Sequence, residues 1–432
     1  MKRRLEFIKQ QTNFINEGEK NMSNYFDLLK HYGSPLYIYD YNVLKDRCDS
    51  MKKFSDDLQK GLPDGISVSM HYSTKANNNP AILSIIKDSG LNVDCMSPFE
   101  LEVGKYSGFD SERMLYVCNN ISAEEMRFVR RYHGILICLD SISQVDTWGR
   151  YFPGTDIMVR INPGTTGVGH SDKVVTSGKT TKFGISEENL PALFETAQKH
   201  KLHIVGVHQH LGSLFLNNKV PEYIAGVKAG LEIVKKHFSD VKIVDLGGGF
   251  GVPYKPDEEP LDLSYVSSEL LPILNDFVSS YPSVQEFKFE PGRYIPCESG
   301  KLIGTVTAVK HENDTWWICT DIGMNQLIRP SMYDSYHEIE LVYQPSNEER
   351  PEIIANFCGN VCESGDILAK NRKVKLPEVG DIVVVHNAGA YGYSMSSNYT
   401  GRPRPAEVML NYGEPKLIRK RETISSLMEN FV

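Results

Sequence analysis

Lysine, aspartate, histidine, glutamate and arginine recur in this chain where short β-rich runs give way to helix-like stretches. Lys75 ends the run Met70-His-Tyr-Ser-Thr-Lys75; Asn77 to Pro80 then break the chain, and Ala81-Ile-Leu-Ser-Ile-Ile86 takes up a helical pattern. A lysine at such a boundary, with reduced solvation, can lose its proton and condense with an aldehyde as a Schiff base. Asp94 closes a second run, Arg160 and Asn162 a third, and His208 and His210 follow a fourth. Gly247-Gly-Gly-Phe-Gly251 follows the run ending at Asp245, and Glu290-Pro-Gly-Arg293 follows the last. Each alone suits a loop or a local salt bridge, but strand ends that converge on one face of a barrel form a reactive site.

The side chains divide the work. The glycines let backbone N–H groups approach and cradle a phosphate. Neither a P-loop nor the Gly-x-Gly-x-x-Gly dinucleotide spacing is present, so the phosphate belongs to something smaller than a dinucleotide. His208 and His210 have the period of two that puts both rings on one face of a strand. Two histidines so placed could bind zinc, but no third ligand is evident. An imidazole against an aromatic cofactor, with Ser213 on its phosphate, needs no metal. A carboxylate at Glu290 could pair with a protonated ring nitrogen, and Arg293 with an anion; an internal Glu290–Arg293 salt bridge is the plain alternative. A lysine, a phosphate cradle, a stacking ring and a carboxylate for a pyridinium together describe a site for pyridoxal 5'-phosphate.

The elements that must position these groups alternate. Strand-like runs at Val68–Tyr72, Leu91–Asp94, Met114–Val117, Ile135–Leu139, Ile157–Ile161, His203–His208, Val241–Asp245 and Glu286–Phe289 are separated by helix-like stretches. Their number and rhythm predict a (β/α)8 TIM-like barrel, with an open doubly wound sheet as the rival. After Arg293 strands follow one another without helices, at Leu302–Val309, Thr315–Thr320, Glu338–Val342, Ile353–Phe357 and Asp381–Val385, which predicts a C-terminal β-sandwich or β-barrel domain. The expected divisions are a loose extension over 1–22 with Met22 as an alternative start, a segment over 23–47 that joins the β domain through Pro35–Asp40, the barrel over 48–297, and the β domain over 298–432.

The 432 residues are 41% hydrophobic and 24% charged, as in ordinary globular proteins. A net charge of −8 argues against a nucleic-acid surface. No apolar run spans a bilayer, and the basic N-terminus lacks the apolar core of a secretory signal. Eight scattered cysteines fit a reduced, cytoplasmic protein.

With these motifs in place, the chain resembles the fold-type III pyridoxal-phosphate-dependent decarboxylases, the alanine-racemase-like barrel family. The resemblance covers nearly everything after about residue 23. It is carried by Tyr72-Ser-Thr-Lys-Ala-Asn77, Asp94-Cys-Met-Ser-Pro-Phe-Glu-Leu101, Gly169-His-Ser171 with Lys182-Phe-Gly-Ile185, His210-Leu-Gly-Ser213, the two turns above, Arg329-Pro-Ser-Met-Tyr333, Cys362-Glu-Ser-Gly-Asp366 and Gly389-Ala-Tyr391 running on to Tyr399. It implies that Lys75 carries the cofactor, His210 stacks on its ring and Glu290 binds the ring nitrogen. Ser213, Gly247, Gly248, Gly249, Gly292 and Arg293 would hold the phosphate, with Asp94, Arg160 and Tyr391 also at the cofactor. Cys362 would be the acid that reprotonates Cα. Arg293, Arg329, Tyr333, Glu363 and Tyr391 would bind an amino-acid substrate. The resemblance further implies a homodimer in which the Cys362-Glu363 segment enters the partner's site. It also implies a substrate whose far end carries both an ammonium and a carboxylate, because relatives with a purely cationic far end typically carry aspartate in place of Glu363. A racemase on the same barrel, a decarboxylase for another amino acid and a catalytically dead relative are the competing readings. Pro296-Cys-Glu-Ser299 echoes the Cys362 segment and receives no catalytic role.

Overall fold

The computed structural model describes residues 25–164, 168–169, 178, 181–345 and 349–432. The N-terminal stretch with Met22, and His170 and Ser171 of the family motif, lie outside the described residues. The chain divides into two compact units, one of Tyr41–Ser299 with Gly389–Ser394, the other of the chain up to Asp40, Gly300–Ala388 and Met395–Val432.

The first unit is a closed barrel. Its strands are β1 (Ser67–Ser73), β2 (Asn92–Cys95), β3 (Met114–Val117), β4 (Leu136–Leu139), β5 (Asp156–Asn162), β6 (His203–His208), β7 (Ile243–Asp245) and β8 (Glu286–Phe289). Each pairs in parallel with the next, and β8 pairs with β1 from Glu286↔Ser67 to Phe289↔Met70. That closure excludes the open sheet. The strands are short and almost wholly apolar, as β3 is, because both faces are covered. Helices follow each of the first seven strands, and Tyr41–Gly61 stands between helices Leu263–Ser280 and Pro80–Asp88. The connections at the C-terminal ends of the strands are capped at once: Ser97, Ser122 and Ser141 accept from the backbone N–H three residues on, and Asn79 caps Pro80–Asp88. Proline occupies the first helical position after Asn79 and Ser97, where a missing N–H costs nothing.

The second unit is a nine-stranded mixed sheet. Its spine is the long strand Gly300–Glu312. The first part pairs with Leu36–Asp40 and Ile382–Val385, and the last part with Thr315–Thr320. Leu36–Asp40 lies between that spine and Ala406–Asn411, which runs parallel to it. Leu36, Ile38, Ile303, Ile382, Val384 and Val408 form its core, under Tyr25, Leu28 and Leu29 of the N-terminal helix. The strands Ile367–Lys375, Ala406–Asn411 and Glu414–Arg419 are additions to the sequence reading. Lysines and arginines interrupt the first and last of these, which hides their alternation. Among the described residues no helix is long and apolar enough to cross a membrane.

The Asn79 cap is fully buried and accepts from Ala81 N at 3.0 Å. Asn79→Ala should therefore lower stability by about 1–2 kcal/mol, read as a lower denaturant midpoint at constant slope.

Candidate active site

Lys75 sits in a short 3-10 turn, Thr74–Ala76, directly after β1. The turn is clamped on both sides. Tyr72 donates its hydroxyl to Asn77 O at 3.0 Å, Asn77 donates Nδ2 to Gly389 O at 3.0 Å, and Tyr391 N–H donates to Ala76 O at 2.8 Å. Lys75 Nζ lies 3.7 Å from Asp94 Oδ2, with Lys75 36% exposed and Asp94 only 1%. Burial, and then Glu290, push the Asp94 carboxyl up to about 7 against the pull of Lys75 and a 3.0 Å hydrogen bond from Ser73 Oγ. For Lys75 itself, burial disfavours the ammonium, but Asp94, Tyr391 and Glu290 outweigh it and raise its pKa. Reduced solvation alone would favour loss of the Lys75 proton, and Asp94 at 3.7 Å pulls the other way.

Below this lies a buried acid cluster. His208 ends β6, Asp245 ends β7, and Glu290 follows β8. Glu290 Oε2 lies 3.0 Å from His208 Nε2, while Glu290 Oε1 is buried with no protein partner. Burial lowers His208 to about 4 and raises Glu290 to about 6. The expected shared strand face for the two histidines does not form, because β6 stops at His208. His210 lies beyond the strand, where its Nδ1 accepts Gly212 N–H at 3.2 Å and burial keeps its pKa well below normal. It is a neutral ring with its proton on Nε2. Asn162 instead braces its own loop, donating to Gly178 O at 2.9 Å and accepting from Gly164 N at 3.0 Å.

Arg293 is buried, donating from Nη1 to Tyr254 Oη at 2.8 Å and from Nη2 to Ser213 Oγ at 3.3 Å. Its guanidinium lies 4.7 Å from the centre of the Tyr391 ring, and its Nε has no partner. Among the described residues no carboxylate reaches it, so the Glu290–Arg293 salt bridge is absent and Glu290 turns to His208 instead. A buried guanidinium bonded only to hydroxyls has capacity left for an anion. The adjoining turn is crowded: a Cβ on Gly248 would stand 2.0 Å from Glu290 O, Gly247 has φ +70°, and a Cβ on Gly249 would stand 2.7 Å from Gly212 O. These glycines are required by the backbones of the neighbouring strand ends. Gly292 is likewise close-packed, its Cβ position 3.0 Å from Tyr391 Oη. Arg160, on β5, is buried 4.6 Å from the Phe183 ring centre, and burial lowers its pKa. Tyr254 and Asp245 are the residues that sequence reasoning missed as site members; Asp245 had a signal, since it ends a strand as Asp94 does.

In the sheet unit, Arg329–Tyr333 forms one helical turn, and Cys362, Glu363 and Ser364 form an exposed loop. Ser331 Oγ donates to Gly365 O at 2.6 Å, which joins the two segments. Asp366 pins the loop by accepting from Met324 N at 2.6 Å and Val361 N at 2.8 Å. Arg329 is buried and donates to Ser335 Oγ at 3.2 Å, whereas Glu363 is exposed and accepts from Tyr399 Oη. The segment Pro296-Cys-Glu-Ser299 is structural: Glu298 pairs with Arg47 at 2.5 Å, and Cys297 Sγ lies 3.0 Å from Tyr254 Oη.

The barrel residues fit pyridoxal 5'-phosphate: a lysine at the mouth, an open buried carboxylate oxygen, a neutral imidazole, and an arginine lacking a carboxylate. The family model for the pyridoxal binding domain of pyridoxal-dependent decarboxylases matches residues 48–297. The diaminopimelate decarboxylase of Methanothermobacter thermautotrophicus is 35% identical over 93% of this chain and 92% of its own. A crystal structure of diaminopimelate decarboxylase is 30% identical, covers 94% of this chain and 95% of its own, and has a TM-score of 0.84. The Helicobacter pylori diaminopimelate decarboxylase complexed with L-lysine is 28% identical, covers 94% and 98%, and has a TM-score of 0.80. Replacing the anion-seeking cation, Arg293→Met, should weaken pyridoxal phosphate binding to the apoprotein by roughly 10- to 100-fold, measured by fluorescence titration.

Proposed function

The chain belongs to the pyridoxal-dependent decarboxylase family, and we propose that it converts meso-2,6-diaminopimelate to L-lysine and CO2, the last step of lysine biosynthesis. The observation that supports this reading is the Ser331–Gly365 hydrogen bond, which ties the turn bearing Arg329 to the loop bearing Glu363. An anion and a cation so linked suit a substrate whose far end bears both an ammonium and a carboxylate, and a site built for both charges rejects substrates lacking either.

Pyridoxal phosphate, when bound, supplies an aldehyde for the substrate amine and a ring that accepts the electron pair left as CO2 departs. Lys75 anchors the aldehyde end, and Asp94 sets its charge. Glu290 offers Oε1 to the ring nitrogen and holds a proton there. His210, as a neutral imidazole, would support the ring face. Arg293 and Ser213, with the turn at Gly247, Gly248 and Gly249 and the close-packed Gly292, bind the phosphate. Arg160 adds a second buried cation and Tyr391 closes over Arg293. Cys362 delivers a proton to Cα. Glu363 takes the distal ammonium, while Arg329, Tyr333, Arg293 and Tyr391 serve the substrate's carboxylate end. The exposed, pinned Cys362-Glu363 loop suits delivery to a second copy of the chain, and we assign an obligate homodimer with shared sites. The eight free cysteines suit the cytoplasm.

Purified protein given pyridoxal phosphate and meso-diaminopimelate should release lysine and CO2 in equal amounts; a clear preference for an amino acid without the distal amino-carboxylate would overturn the substrate. Mixing Lys75→Ala with Cys362→Ala chains, each nearly inactive, should restore roughly a quarter of wild-type activity, since half of randomly mixed dimers carry one intact site. No recovery under subunit exchange would refute the shared site.

A further inference from the structure

We propose that His208 is a positioning residue for the carboxylate of Glu290, and that the acid proton of the cluster they form with Asp245 resides on Asp245. The inference rests on the reading of Glu290 as the partner of the ring nitrogen and deepens it.

Three adjacent strands bring these groups together. Asp245 is in register with His208 on one side and Lys288 on the other, two residues before Glu290. One polar atom from each of His208, Asp245 and Glu290 lies within 4.8 Å of the others, and all three residues are buried. Two carboxyls so close in a dry interior do not both ionise. Glu290 has the better claim to the charge, because Lys75 and Arg160 face it. Asp245 is favoured in its ionised form by His208, then by one backbone donor, Gly247 N–H at 2.9 Å on Oδ1, and less by Lys288, and its Oδ2 has no partner. Burial and then Glu290 raise it to about 8. Asp94 acts on His208, and Asp245 in turn raises the pKa of the buried Tyr223. His208 does not take the proton, since burial favours its neutral form. A neutral imidazole that faces a carboxylate must carry its proton on the near nitrogen. Nε2 therefore donates to Glu290 Oε2 at 3.0 Å, which fixes the rotation of the carboxyl and leaves Oε1 for the ring.

The test compares holoenzymes of His208→Leu, His208→Gln, Asp245→Asn and Glu290→Gln, with bound pyridoxal and thermal midpoint measured for each. His208→Leu should lower kcat about tenfold or more with KM changed less than about threefold. It should also move the acid limb of the kcat–pH profile upward, because Glu290 loses a donor that favours its ionised form. His208→Gln, whose amide can reach the same oxygen, should recover most of kcat and return that limb. Asp245→Asn should abolish any alkaline limb near pH 8. If His208→Leu does not fold, His208→Asn, with its shorter amide, takes its place. Equal impairment of the Leu and Gln variants with cofactor bound would overturn the inference. So would one metal ion per chain in the wild type by elemental analysis, since these three atoms could also ligate a cation. Inactive Glu290→Gln beside normal His208→Leu sinks the positioning role alone. Full activity of Glu290→Gln with the wild-type absorbance band sinks the reading of Glu290 beneath it.

Discussion

Three carboxyl groups, Asp94, Asp245 and Glu290, are enclosed in one ring of eight parallel strands, and their burial governs the site, with Glu290 adding repulsion on the other two. Barrel closure forces the crowding, because each of them ends or directly follows a strand and the strand ends share one rim. Burial raises the pKa of such groups, and a neighbouring carboxylate raises it further, until a cation intervenes or a proton is kept. Lys75 and Arg160 act on Glu290 in this way, and Lys288 acts on Asp245. Lys75 stands 3.7 Å from Asp94, which favours its ammonium form against the effect of burial.

The phosphate end obeys a different constraint. There the protein supplies cation and hydroxyl without a carboxylate: Arg293 leans on Tyr254 and Ser213 and lies beside the Tyr391 ring. The two ends of the site are electrically opposite, an acid floor and a basic rim. Such a polarity would suit a molecule with a basic ring nitrogen and an anionic tail.

Much of this was legible in the sequence. All eight barrel strands were, because parallel strands covered on both faces stay apolar and end abruptly at a polar residue, as β2 does at Asp94 and Cys95. The glycines of the turn were legible as a cradle, but their cause was not: Gly248 is required by the carbonyl of Glu290, which a different strand brings to it. The choice of Glu290 between Arg293 and His208 was also out of reach, since spacing along one segment says nothing of what a neighbouring strand presents. The countercharge of Lys75 was out of reach for the same reason: burial can be read from the apolar run around it, whereas Asp94 arrives from β2. In the sheet unit, Ile367–Lys375 and Glu414–Arg419 escaped because their exposed faces carry lysine and arginine.

The hydrogen bond from Tyr391 N–H to Ala76 O, beside that from Asn77 to Gly389, spans more than three hundred residues. Its consequence concerns the order of synthesis. The barrel strands leave the ribosome together, so the barrel can assemble while the rest of the chain is still being made. The turn that carries Lys75 lacks its last two clamps until Gly389 and Tyr391 emerge. The strand Leu36–Asp40, among the earliest made, waits longer still for Ala406–Asn411. Contacts of such separation are late and slow to form. A nascent chain would thus possess a barrel well before its Lys75 turn was fully clamped, and the emergence of Gly389 and Tyr391, rather than barrel formation, would complete that turn.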